Sequence, residues 1–135
     1  MFAADTGRLR VIRILLKFGA SVSASNKHGH TTLHNPVRYR YLAVTKVLIK
    51  AGADPEAKTD CAVTAPVLIQ GHTQLQLAAA EGFCEGIVAL IDARANIENR
   101  MTNESTPFYL SACRGRLNAA RVFLGAKANL QSGVK

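Results

Sequence analysis

Apolar residues at Leu42, Val44, Val47, Leu48 and Ile49 form a stripe at helical spacing, broad enough for a helix wedged between two neighbours. The same stripe stands 33 positions earlier, as Leu9, Val11, Ile14, Leu15 and Leu16. The correspondence extends past the helices. Lys17, Gly19 and Ala20 return as Lys50, Gly52 and Ala53, and Thr73 and Gly82 return as Thr106 and Gly115. A fixed period of this size marks a stack of supersecondary units, none able to bury its apolar face alone. Such a stack offers a long gripping surface and has no inherent reaction chemistry.

Residues 26–53 show the unit best. A turn containing Gly29 leads to Thr31, whose side-chain oxygen suits the cap of a short helix, where it accepts otherwise unpaired N–H groups. The apolar helix follows, and Gly52 suits the left-handed residue that ends it, having no Cβ to clash.

In these residues the chain resembles the ankyrin repeat family. That family's pattern of Gly-x-Thr-Pro-Leu-His, two small residues, a Gly, an apolar helix and Gly-Ala-Asp is met along the chain. Gly29, Thr31, Leu33 and His34 match it, followed by Gly71, Thr73, Leu75, Leu77, Ala78, Ala79 and Gly82. Thr106, Pro107, Leu110, Ala112 and Gly115 match again, while the first copy is partial, with Ala3, Ala4 and Gly7. The resemblance implies an all-α solenoid of stacked antiparallel helix pairs with hairpin loops projecting at right angles. One domain of about four repeats is expected, at 1–25, 26–58, 59–100 and 101–133. It further implies a concave groove, lined by first helices and hairpin tips, that binds other proteins. The histidine matching His34 is structural in the family and bonds the preceding loop.

The departures are individual to this chain. Thr31 and Thr73 are 42 residues apart where 33 is the period, which puts an insertion of about nine residues within 59–70. It contains Val67, Leu68 and Ile69, expected as either a flap folded onto the stack or a partner contact. Pro36 falls inside a first helix, where proline costs roughly 3 kcal/mol, so that helix is expected to kink or start late, with Asn35 as a new cap. Arg40, Arg94 and Lys127 replace glycines expected at turns or helix ends, with a left-handed cost of roughly 1–2 kcal/mol each. The last helix is expected to stop before Gln131, and neither end carries a polar capping unit. A fragment of a larger protein, or self-association through the uncapped ends, is the expectation from that.

Composition narrows the class. The chain has 135 residues, 48% hydrophobic and 19% charged, which fits a globular fold. Its three cysteines have no paired spacing and read as reduced thiols of an intracellular, cytoplasmic or nuclear protein. Asn103 heads a glycosylation triplet of the kind that arises by chance. The net charge of +8 is uneven: nine Lys/Arg against one acid in residues 1–50, two against seven in 51–99, and six against one in 100–135. Electrostatic binding of nucleic acid or anionic membrane by the basic first third is therefore the alternative function. Arg10, Arg13, Lys17, Lys46 and Lys50 nevertheless fall on the polar face of second helices, and no phosphate loop or stacking platform accompanies them.

A non-catalytic scaffold binding a partner protein is the main reading. Arg38 and Tyr39 occupy the column that also holds Asp5, Thr6, Ala80, Glu81, Cys113 and Arg114, which the resemblance makes solvent-facing. Arginine and tyrosine dominate binding hot spots because each joins contact area to polar anchoring. Arg40 and Tyr41 extend the cluster, and His28 and His30 are expected at a hairpin tip. The spacing of His28, His30 and His34 lacks the further ligands a zinc site needs, so no metal or cofactor is expected. No nucleophile elbow, Cys/His pair or spaced carboxylate pair suggests an enzyme.

Overall fold

The computed structural model describes residues 9–58, 71–101 and 104–134. Seven helices run through them: α1 Leu9–Lys17, α2 His34–Arg38, α3 Leu42–Lys50, α4 Gln74–Glu81, α5 Cys84–Asp92, α6 Pro107–Cys113 and α7 Leu117–Val134. The short helices α2, α4 and α6 pack side by side in one layer, and α1, α3, α5 and α7 in a second. Each short helix also packs on the long helix that follows it. Among the described residues there is no strand, apart from an isolated Ser25–Thr31 bridge.

One core runs the length of the stack. Leu48, Leu90 and Phe123, in equivalent places, are all buried in it, as are Leu33 and Leu75. Leu15, expected to match them, is instead largely exposed, because no described element covers the outer side of α1. Helix α4 sits between α2 and α6 and is buried from Gln74 through Ala80.

The capping threonines behave as their chemistry dictates. Thr73 Oγ1 accepts the Gln76 N–H while Gln76 Oε1 accepts the Thr73 N–H at 2.9 Å, a reciprocal capping box. Thr106 caps α6, with Pro107 in the first turn, where a missing N–H costs nothing. Helix α2 begins late, at His34, because Pro36 has no N–H to give the Thr32 carbonyl. Asn35 does not cap it, contrary to expectation: Asn35 lies inside the helix and its carbonyl takes the Tyr39 N–H.

Left-handed residues punctuate the array in columns. Gly29, Gly71 and Glu104 have φ of 73°, 68° and 65°, and Arg40, Gly82 and Gly115 have 62°, 68° and 66°. Gly19, Gly52 and Arg94 form a third column at 82°, 97° and 70°. Arg40 and Arg94 thus take the strained backbone expected of them. Lys127 does not. It lies within α7, which continues past Gln131 to Val134 rather than stopping before it, and its Nζ pairs with Glu98 Oε1 at 3.2 Å.

Candidate protein-interaction surface

The hairpin before α2 is built on one side chain. Asn26 Oδ1 accepts the N–H groups of His28 and His30 at 2.9 and 3.0 Å, and the Asn26 N–H donates to the His30 carbonyl. The loop is thereby held without a strand ladder. His28 and His30 are both half-buried, so neither projects freely from the tip. The His30 ring stacks on His34, with centroids 5.4 Å apart.

His34 ties this loop to the next layer. Its Nδ1 accepts the Thr31 N–H at 2.9 Å, the structural role the resemblance implied. From α4 the buried Gln74 amide nitrogen Nε2 reaches the same ring, 2.9 Å from Nδ1 and 3.1 Å from Nε2. Burial, reinforced by neighbouring His30, pulls the His34 pKa down to about 4.

At the other end of α2 the candidate cluster comes together. Tyr39 is exposed, the Arg38 guanidinium lies 5.7 Å above its ring centre, and Tyr41 stands tilted 6.1 Å away. Tyr41 is itself half-buried against the core. Arg40 turns along the stack and donates to the carbonyl of Glu81 at the end of α4. From the opposite side Arg116 Nε donates to the Ala80 carbonyl at 3.1 Å. Two guanidinium groups thus satisfy the C-terminal carbonyls of α4, where positive charge is favoured. Arg40 and Arg116 border a cavity of about 330 Å³ that also reaches Cys84.

The rest of the expected column is uneven. Glu81 is half-buried and Arg114 is exposed at the end of α6. Ala80, expected to face solvent, is buried, since α2 and α6 close on α4 from both sides. Val67, Leu68 and Ile69 lie outside the described residues, as do Asp5, Thr6 and Asn103. Arg116 was not among the expected site residues. Neither was Glu56, whose carboxylate accepts the Asn96 N–H at 2.7 Å and an Asn99 amide proton at 2.9 Å. The only signal for Glu56 was its place after Asp54, which caps the same turn that Asn96 caps one unit later.

The family model for ankyrin repeats in three copies matches residues 1–59. Cyclin-dependent kinase inhibitor 2A of Homo sapiens is 30% identical over 127 residues, covering 92% of this chain and 74% of that protein. The ankyrin repeat and KH domain-containing protein mask-1 of Caenorhabditis elegans is 30% identical over 122 residues, covering 90% of this chain. The chain belongs to the ankyrin repeat family. Ankyrin repeats are generally protein–protein interaction modules, and the stacked helix pairs supply the extended surface such modules use. The chain spans only 4% of the length of mask-1. Most of its ankyrin-containing relatives bear the names of non-enzymatic proteins. One enzyme, glycerophosphocholine phosphodiesterase gde1 of Schizosaccharomyces pombe, is 26% identical over 82% of this chain, which spans 9% of that protein. Among the described residues no helix is long and apolar enough to cross a membrane.

Proposed function

We propose that this chain is a non-catalytic interaction module that holds an intracellular partner protein against the exposed ends of its short helices. The observation that carries this reading is the Arg38–Tyr39 pair. An exposed tyrosine ring lies under a guanidinium, on a helix fixed at its start by His34 and followed by the Arg40 bond to α4. A rigid aromatic beside a cation loses little entropy when a partner covers it. His28 and His30 form the second edge of the surface, Glu81 and Arg114 its continuation, and the Val67–Ile69 stretch an added contact. Cyclin-dependent kinase inhibitor 2A is by its name an inhibitor of a kinase, and a protein partner for this chain is consistent with that relationship.

The test is affinity capture with Tyr39→Ala beside the parent chain, at low and moderate salt. A protein partner lost with Tyr39→Ala and retained at moderate salt supports the proposal. Capture of nucleic acid or anionic vesicles that fades with salt and ignores Tyr39→Ala supports electrostatic binding by the basic first third instead.

A further inference from the structure

Two guanidinium groups meet at the end of α4. Arg40 donates to the carbonyl of Glu81, and Arg116 Nε donates at 3.1 Å to that of Ala80, the residue before it. Both side chains belong to exposed residues. Arg116 reaches its carbonyl by lying across Gly82, where a Cβ would stand 2.8 Å from Arg116 Cδ. Arg40 holds its place against the preference of the backbone, with φ of 62° in a column it shares with Gly82 and Gly115. The cavity of about 330 Å³ opens between the two arginines, against Leu117 and Asn118 in the first turn of α7.

Charge around this cavity does not balance. Among the described residues the ion pairs are Arg100–Glu104 and Lys127–Glu98, and neither Arg40 nor Arg116 takes part in one. The first turn of α7 contains no acid. The C-terminal end of α4 supplies roughly half a negative elementary charge, so two cations beside it leave an excess of about 1.5. A guanidinium has five N–H donors, of which each arginine gives one to α4, and the rest match the oxygens of a carboxylate or a phosphate. A carboxylate brings a single charge. A phosphate monoester brings about 1.5 to 2 at neutral pH, with three oxygens to divide between two guanidinium groups.

We propose that the cavity between Arg40 and Arg116 binds a phosphoserine or phosphothreonine side chain of a partner protein. The inference rests on the reading of this chain as a protein-interaction module and names the group its partner presents. Arg40 directly follows Tyr39 in the chain, so the cavity adjoins the surface assigned to that partner.

The probe is N-acetylphosphoserine N-methylamide, titrated at pH 7 into the nitrogen-15-labelled full chain. Amide shifts should centre on Cys84 and Leu117–Ala119, which line the cavity. Binding should be at least about fivefold tighter than for the equivalent glutamate derivative. Arg40→Gly relieves backbone strain and so keeps the fold, yet it should weaken phosphoserine binding at least about tenfold. Arg116→Lys, which keeps the charge and loses the planar fork, should weaken it at least about threefold. Arg121→Gln, outside the cavity, should leave it intact. Equal binding of the glutamate derivative would overturn the proposal, as would phosphoserine binding indifferent to Arg40→Gly. Inorganic phosphate bound as tightly as the derivative would assign the cavity to the free ion instead. Association with phosphoinositide vesicles in the absence of phosphoserine binding would assign it to a lipid headgroup. A partner captured through Tyr39 but indifferent to phosphatase treatment would leave the interaction surface standing and defeat this inference alone.

Discussion

The Cδ1 atom of Phe83 lies 2.2 Å from the place a Cβ on Gly86 would occupy. The ring fills, from one turn earlier, the space that Val44 fills in the equivalent position of α3. Glycine is a poor helix residue, and alanine at an open site would gain up to about 1 kcal/mol. Here the buried ring outweighs propensity.

Gly86→Ala should therefore destabilise the protein, by about 1–3 kcal/mol, because the added Cβ forces the buried Phe83 ring out of its place in the core. Urea midpoints measure it. In a Phe83→Leu background the same substitution should cost far less. Additive costs in that double-mutant cycle would show that the contact does not matter.

His34 makes stability depend on pH. Its pKa falls from 6.5 to about 4 on folding, so between those values the folded chain binds fewer protons than the unfolded one. Its contribution is full above pH 6.5 and is lost progressively as pH falls toward 4, reaching roughly 3 kcal/mol at most. Plots of unfolding free energy against pH should flatten across this window in His34→Gln. An unchanged slope would assign the acid sensitivity to another group.

Arg40 and Arg94 share a strained backbone but not a role. Arg94 is exposed, and Arg94→Gly should stabilise by about 0.5–1 kcal/mol once glycine's own entropy cost is deducted. Arg40→Gly relieves the same strain but gives up the bond to the Glu81 carbonyl, so it should bring no gain. Thermal melts of the two variants separate these outcomes.

Glu56 joins two loops forty residues apart in sequence. Glu56→Ala should cost about 1–2 kcal/mol and speed hydrogen exchange at the Asn96 amide, which loses its acceptor. Glu98 stands at the equivalent place but makes an exposed pair with Lys127. Glu98→Ala should change stability by less than about 0.5 kcal/mol.

The period carried most of the architecture, because each unit repeats the same local physics. Thr73 and Thr106 cap as their chemistry requires, and Arg40 and Arg94 sit in glycine's backbone region because the turn geometry leaves no alternative. Lys127 escaped that logic. A lysine is a good helix former, and without a glycine to end it α7 simply continues. Glu104 is a third left-handed non-glycine, hidden because its sequence neighbours hardly resemble those of Gly29. Of the site, the exposure of Tyr39 was legible from its column. The burial of Ala80, the Arg116 bond to its carbonyl and the Glu56 bridge were not, since each depends on which unit lies alongside rather than on the unit's own residues.

The pair of arginines that close on the end of α4 has a mechanical corollary. Arg40 reaches it from one neighbouring unit and Arg116 from the other, so this helix cannot loosen without disturbing both flanks. Helix α1 has a described neighbour on one side only. Among the described helices α4 is thus the best anchored, and its amides should resist hydrogen exchange longer than those of α1.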